Sequence, residues 1–227
     1  MAAQSSKVIK VSVISDITCP WCYIGLKELD MALERVKIPE GRDIKFEIQH
    51  MPFLLNPTLP VDEVQKKMDY VAERIGMQRW NQARTLMAER CKQLGMKPFQ
   101  CDGYVFSTWR AHRLLTYAWN KGGAEVQHKL LYRLYEGAFY HAEKLNDVEV
   151  LAQHAVDIGL MSKDEAVKFL KSDALHAEVQ SMVTLAQRNG VSGVPFTLID
   201  KRWAISGGQT ADVYYNIFQK LANGEEP

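Results

Sequence analysis

The 227-residue sequence lacks the long apolar runs of a membrane protein and shows almost no excess of charge of either sign. Its apolar stretches fall well short of the roughly 20 residues that span a bilayer as a helix. Lysine and arginine number 28 and aspartate and glutamate 27, which gives a net charge of +1 at pH 7. This balance provides no electrostatic basis for binding nucleic acid or a membrane surface. The sequence therefore predicts a protein without nucleic-acid or membrane partners.

Cysteine is also scarce, and the four residues present are too few for the disulfide scaffold of a small secreted domain. Residues 1–7 are mostly polar, and the apolar core of a secretory signal peptide does not follow them. The apolar stretch that begins at Val8 is interrupted by Lys10. These features predict a cytoplasmic protein, whose thiols a reducing compartment would keep largely reduced.

Two of the cysteines lie in the motif Cys19-Pro20-Trp21-Cys22, between a strand pattern over residues 8–15 and a helix pattern over residues 20–36. A Cys-x-x-Cys in this position is typical of a thioredoxin-like redox site. Proline suits the first helical position, where its missing N–H would have no partner within the helix. A sulfur at the helix start faces unpaired N–H groups and the positive end of the helix dipole, which favour the reactive thiolate.

The two cysteines differ in their position on the predicted helix. Apolar residues recur at a 4-3-4-3 spacing, which places them on one helix face: Cys22, Leu26, Leu29, Leu33 and Val36. Cys22 therefore begins the buried face, whereas Cys19 precedes the helix as an exposed cap. We predict that Cys19 is the attacking thiolate and that Cys22 is the resolving thiol, which acts at high effective concentration.

Zinc binding and two inert thiols are the alternatives for this motif. A structural zinc site needs four ligands, usually from a second Cys-x-x-Cys or a histidine pair. The other cysteines, Cys91 and Cys101, are separated by nine residues, and no histidine pair follows at zinc-finger spacing. The sequence therefore predicts no metal site. Cys91 and Cys101 are expected to be separate free thiols, with a second redox pair as the alternative.

The hydrophobic pattern changes from strand to helix and back again along the chain. Strands are predicted at residues 8–15, 44–48, 196–199 and 203–205. Helices are predicted at residues 20–36, 62–75, 78–94, 107–120, 124–141 and 147–159, with further helices that start near 162, 172 and 210. Prolines 52, 57 and 60 mark a loop. This order predicts an α/β thioredoxin-like fold (βαβ…ββα) with a large inserted α-helical subdomain. The thioredoxin-like domain is placed at residues 7–60 and 190–223, and the insertion at residues 61–189.

A proline at the entrance of the third predicted strand supplies the second half of the expected site. Pro195 stands where a strand tolerates a missing N–H. An X-Pro bond adopts the cis form at modest cost, and we predict that Val194–Pro195 is cis. The Val194 backbone would then face the Cys19 sulfur and pair with an extended substrate. Pro20 and Trp21 are expected to complete the substrate-binding surface.

Five segments together resemble the FrnE family of DsbA-like disulfide oxidoreductases. They are SDITCPWCYIG at 15–25, PFLLNP at 52–57, AHRL at 111–114, GVSGVPF at 190–196 and ISGGQ at 205–209. The resemblance implies a thioredoxin fold with a helical insertion, a cis Pro195, and dithiol–disulfide exchange with a thiol or disulfide substrate, either a protein or a small molecule. The cycle would need no bound cofactor, with glutathione or a partner protein exchanging the electrons. A functional role for His112 rests on the resemblance alone. The apolar residues near it in the sequence favour instead a histidine that is packed in the interior.

Two other function classes share parts of this pattern. Kappa-class glutathione transferases and 2-hydroxychromene-2-carboxylate isomerases have the same architecture, but they carry a serine near the position of Cys19 and bind glutathione as cosubstrate. The second cysteine argues against this alternative, because isomerisation needs no resolving thiol. A non-catalytic binding module is the third alternative, and the intact Cys-x-x-Cys disfavours it. Nothing in the sequence indicates an oligomeric state.

Overall fold

The computed structural model describes residues 7–100 and 102–227 and contains a four-stranded sheet with the order β2-β1-β5-β6. Its strands come from the two ends of the chain: β1 (Lys7–Ser15), β2 (Ile44–Pro52), β5 (Phe196–Ile199) and β6 (Trp203–Ser206). β1 is parallel to β2 and antiparallel to β5, which pairs antiparallel with β6. The mixed α/β thioredoxin-like fold predicted from the sequence is confirmed.

Most of the helices lie between β2 and β5 in the order of the chain. They are α1 (Pro20–Arg35), α2 (Lys67–Tyr70), α3 (Met77–Gln93), α4 (Trp109–Tyr140), α5 (Val148–Asp157), α6 (Lys163–Lys171), α7 (His176–Arg188) and α8 (Ala211–Asn223). None of the helices in the described part of the chain combines the length and apolar character that a membrane-spanning segment needs.

Helix α1 contributes to three hydrophobic clusters, and its Ile24 belongs to the one formed with α3. Its residue Leu29 packs with Val11 of β1 and with Phe218 of α8 in the cluster beside the sheet. Its first turns contribute Cys22 and Tyr23 to a second cluster, which is formed largely by residues of α4 and α5. The start of α1 is therefore buried between the sheet and the inserted helices.

A small second sheet lies within the segment predicted to be helical. β3 (Val64–Lys66) pairs antiparallel with β4 (Tyr104–Phe106), and α2 and a π-helical turn (Val71–Ile75) follow β3. The predicted helix start at Asp62 is therefore wrong. Three-residue strands are too short to show a period, and their partners here are about 40 residues apart in the chain, so local signals cannot identify them.

The helices predicted at 107–120 and 124–141 are present as the two arms of α4, which meet at the non-helical Gly123 (φ 64°, ψ −152°). Two other predictions at helix and strand ends differ from the structure. Pro52 was predicted in a loop but ends β2, an edge strand of the sheet, where a missing N–H is tolerated. Helix α7 begins at His176 after a left-handed Leu175 (φ 62°), four residues beyond the predicted start near residue 172.

Several helix starts agree with their capping signals. The Asp147 side chain accepts hydrogen bonds from the N–H groups of Glu149 and Val150 at the start of α5. Ser162 and Glu165 form a reciprocal capping box at the start of α6. These caps act within one helical turn, which explains why the sequence alone predicts them.

Candidate active site

Cys19 lies at the start of α1, in the position that the sequence predicts. It is the N-cap residue (φ −89°, ψ 110°), and Pro20 is the first residue of the helix. Its N–H donates to the carbonyl oxygen of Asp16 at 3.1 Å, which closes the turn between β1 and α1. The sulfur is therefore carried to the positive end of the α1 dipole.

The expectation that Cys19 is exposed is wrong. Its exposed fraction is 6%, against 2% for Cys22. Both side chains belong to the hydrophobic cluster that contains Tyr135 of α4, and Trp21 packs against the same cluster. The inserted helices cover the start of α1. The spacing of apolar residues along α1 cannot predict this cover, because it describes a single helix without the elements that pack on it.

The Cys22 thiol is held in its protonated form. Burial raises the pKa of Cys22 well above its usual value, and a hydrogen bond and the charge of Cys19 raise it further. The Asp16 carboxylate also raises this pKa, whereas a hydrogen bond from the Asp16 backbone lowers it. At neutral pH, Cys22 is therefore a thiol that must lose a proton before it can act as a nucleophile.

Asp16 is a residue of the site that the sequence reasoning missed. Its side chain is 1% exposed. Oδ2 accepts the N–H of Leu55 at 2.6 Å, and Oδ1 accepts the N–H of Thr18 at 3.3 Å. An acidic residue directly after a buried strand and three residues before Cys19 is the signal that could have identified it. The carboxylate joins the turn before α1 to the loop after β2.

We expect the substitution Asp16→Asn to lower the pKa of Cys22, because a nearby carboxylate disfavours a second negative charge. The thiolate absorbance of Cys22 can be followed against pH as the difference between Cys19→Ser proteins with and without Cys22. Asp200→Asn is the matched control. Asp200 also accepts a backbone N–H, that of Lys10 in β1, but it is not among the groups that shift the pKa of Cys22. An unchanged or higher pKa in Asp16→Asn would contradict the assigned electrostatic effect.

His112 lies behind Asp16 in the interior. It is 3% exposed, and its Nε2–H donates to the carbonyl oxygen of Phe53 at 2.9 Å. The same nitrogen is 3.7 Å from Oδ1 of Asp16. His112 is thus a packed histidine that anchors the loop after β2. It also lies next to the Asp16 carboxylate, which is close to the two cysteines.

The Val194–Pro195 segment meets the start of α1. The peptide bond between these residues is cis. The Val194 carbonyl oxygen lies 3.7 Å from Sγ of Cys19, within hydrogen-bonding reach of a thiol. A Cβ atom at Gly25 of α1 would lie 3.3 Å from Cγ of Pro195, so this loop packs directly on the helix. The predicted residues from both ends of the chain therefore converge on Cys19.

The remaining cysteines lie apart from this site or outside the described residues. Cys91 is a buried free thiol that packs with Trp80 in a separate cluster, and burial raises its pKa. Cys101 lies outside the described residues, so its free thiol stays a prediction, with a redox pair between Cys91 and Cys101 as the alternative. In the part of the chain that the structure describes, no three His, Cys, Asp or Glu side chains form a group suited to a metal ion.

Comparison with known proteins gives matches over most of the chain. A family model described as the DSBA-like thioredoxin domain matches residues 10–219. Among solved structures, the chain is similar to a probable DsbA oxidoreductase from Streptomyces coelicolor. The two are 29% identical with a TM-score of 0.82, over 96% of this chain and 92% of that one.

Two more distant structures share the fold. A cytosolic disulfide reductase, DsbM from Pseudomonas aeruginosa with GSH, is 17% identical with a TM-score of 0.60, over 94% of this chain and 99% of that one. A 2-hydroxychromene-2-carboxylate isomerase is 11% identical with a TM-score of 0.66, over 94% of this chain and 95% of that one. At these identities the likeness concerns the fold alone.

Proposed function

The chain belongs to the DSBA-like thioredoxin domain family, and from this membership we propose that it is a dithiol–disulfide oxidoreductase of the FrnE type. Cys19 is the nucleophile and Cys22 the resolving thiol. The observation that carries the proposal is the position of Cys19 at the α1 start, beside the Val194 carbonyl and one helical turn before a buried second thiol.

The reaction transfers two electrons from the dithiol to the substrate. The Cys19 thiolate attacks one sulfur of a disulfide, the substrate S–S bond breaks, and the first substrate thiolate leaves and takes up a proton. Cys22 loses its proton and attacks Cys19, which releases the second substrate thiol and forms the Cys19–Cys22 disulfide. Two glutathione molecules then reduce this disulfide and leave as glutathione disulfide. The same steps run in reverse when the substrate is a dithiol.

The order of attack follows from the environments of the two sulfurs. Cys22 is protonated at neutral pH, so it attacks only when Cys19 carries a bound disulfide close to it. The attack is then intramolecular and benefits from high effective concentration. The Val194 backbone and Pro195 hold an extended substrate against Cys19, and Pro20 and Trp21 form the adjoining surface.

A glutathione-dependent transferase or isomerase is the alternative, and it has no need of Cys22. In the dithiol reaction, loss of Cys22 stops the cycle after the first step. We propose a cytoplasmic location, where glutathione is available as reductant, and no resident cofactor.

We expect Cys22→Ser to accumulate a mixed disulfide at Cys19, because the thiol that resolves it is absent. After incubation with glutathione disulfide, intact mass should show one glutathione adduct, which peptide mapping should assign to Cys19. Cys91→Ser is the matched control, since Cys91 is equally buried but belongs to another cluster. Full turnover by Cys22→Ser without an adduct would rule out the dithiol reaction and favour the glutathione-dependent alternative.

A further inference from the structure

One edge of the main sheet is formed by β2, which pairs with β1 on one side only. Along a strand, the backbone N–H and C=O groups of successive residues point alternately to the two sides. At His50 both groups point away from β1, because the N–H donates to Oε1 of Gln127 at 2.8 Å and the carbonyl oxygen accepts from Nε2 at 3.0 Å. The backbone groups of Ile44, Phe46 and Ile48 therefore also point outward, and we call them the open edge.

The residues of β2 between those of the open edge bond to β1. The register between the two strands runs without interruption over nine residues of each. Just outside its ends, the carbonyl oxygen of Asp43 accepts the N–H of Lys7, and the N–H of Phe53 donates to the carbonyl oxygen of Ser15. Both contacts have the phase opposite to that of the open edge. Within the described part of the chain, no group forms a hydrogen bond with the open edge.

The inserted helices leave room beside the open edge. Gln127 of α4 closes the edge of β2 at His50 and is itself 1% exposed. Two residues earlier, Ile48 instead lines a cavity of about 600 Å³, together with Leu33 of α1 and Ala124 of α4. The helix that closes the edge at His50 therefore does not cover it at Ile48.

Two opposite charges flank the centre of the open edge. The side chains of Lys45 and Glu47 lie on the face of the sheet opposite to the one that packs on α1 and α8. Lys45 is exposed and Glu47 is half-buried. Glu47 lies beside Lys10 of β1 in the register, yet neither Lys45 nor Glu47 forms an ion pair with any described residue. Both charges are thus available to a partner strand, placed symmetrically about Phe46.

We propose that β2 pairs with β2 of a second copy of this chain, antiparallel and about a two-fold axis at Phe46. Each Phe46 then exchanges both of its outward backbone groups with the partner's Phe46, and Ile44 lies opposite the partner's Ile48. The same register sets Lys45 opposite the partner's Glu47, and Glu47 opposite the partner's Lys45. The two four-stranded sheets become one continuous sheet.

Three features favour a second copy over an unrelated extended peptide. The order Lys45-Phe46-Glu47 is self-complementary, since two antiparallel copies present each charge to its opposite. A symmetrical pair closes on itself, so β2 offers no unpaired edge to further chains. The net charge of +1 causes little repulsion between two copies.

The proposed dimer leaves both candidate active sites accessible. Cys19 follows the end of β1 that lies beside Pro52, whereas the two-fold axis passes through Phe46, six residues earlier in β2. Because the two strands are antiparallel, the two active sites lie at opposite ends of the shared sheet. Activity per chain should therefore not depend on dimer formation, and the inference is independent of the proposed function.

Reversal of the two charges tests the pairing and its register. In sedimentation velocity, the mass of the wild type should rise from 25.9 kDa towards twice this value across micromolar concentrations, as expected of a small interface. Lys45→Glu and Glu47→Lys each set like charges opposite each other at two symmetrical positions. Each should weaken dimerisation about tenfold or more, which corresponds to about 1.4 kcal/mol. The double variant Lys45→Glu/Glu47→Lys restores opposite charges and should recover dimerisation to within about threefold of wild type.

Lys66→Glu is the matched control, because it makes the same charge change at an exposed residue of β3, outside the main sheet. It should dimerise as the wild type does. A wild type that stays monomeric, a dimer that neither single variant weakens, or a double variant that does not recover would each overturn the proposed pairing.

Hydrogen exchange of the wild type tests the same pairing without any substitution. The amides of Phe46 and Ile48 should become protected as the protein concentration rises, because they gain acceptors in the partner strand. The amides of Lys45 and Glu47 point to β1 and should be protected at every concentration, which makes them internal controls. Amides of Phe46 and Ile48 that exchange rapidly in a dimeric sample would place the interface elsewhere and overturn the proposal.

Discussion

Replacing Cys19 with serine is expected to reduce disulfide exchange by about 1,000-fold or more, because a serine hydroxyl at neutral pH does not replace an attacking thiolate. The glutathione-dependent reduction of a small disulfide, coupled to oxidation of a nicotinamide by glutathione reductase, measures the loss. The matched control is Cys91→Ser, which removes another buried thiol and should retain wild-type activity.

The described structure offers no substitute for the Cys19 sulfur. Cys22 and Cys91 are 2% and 1% exposed, and burial raises the pKa of each thiol. Neither is therefore an accessible thiolate at neutral pH. Activity of Cys19→Ser above one tenth of wild type would show that the attacking group lies elsewhere, and circular dichroism would establish that the variant is folded.

Arg113→Met is expected to lower the free energy of unfolding by about 3 kcal/mol or more, because several hydrogen bonds to a buried charged group are lost together. Arg113 is 5% exposed. Its Nε donates to the carbonyl oxygen of Ala174 at 2.7 Å, and its Nη2 donates to those of Phe169 at 3.0 Å and Ser172 at 2.6 Å. One side chain thus satisfies carbonyl groups in the last turn of α6 and in the segment that leads to α7.

Urea unfolding should show a lower midpoint with an unchanged m-value in Arg113→Met. Arg113→Lys should fall between this variant and wild type, because lysine keeps the charge but cannot reproduce the planar fork of guanidinium donors. Arg84→Met, at an exposed position of α3, should change stability by no more than about 0.5 kcal/mol. A loss below 1 kcal/mol in Arg113→Met would contradict the stabilising role assigned to the Arg113 hydrogen bonds.

The same arginine explains why the start of α7 could not be predicted. Ser172 and Asp173 are good capping residues, and local signals favour a helix that begins there. In the structure, Arg113 holds the carbonyl groups of Ser172 and Ala174, and α7 begins only at His176. The residues that decide this boundary are about 60 positions apart in the chain.

The candidate site shows the same division between local and distant causes. The strand-to-helix unit, the position of Cys19 at the helix start and the placement of Cys22 on the buried face follow from spacing within one or two turns. The burial of Cys19 and the role of Asp16 depend instead on α4 and on the loop at Leu55. Neither contact produces a hydrophobic periodicity or a helix-capping signal in the sequence.

The sequence by itself therefore determined the order of the four strands of the main sheet, the caps of α5 and α6 and the position of the two thiols, because periodicity and capping act between residues a few positions apart. Only the tertiary structure decided the pairing of β3 with β4 and the cover over Cys19. These features join segments distant in the chain, and their energies depend on surfaces that exist only after the inserted segment has packed against α1.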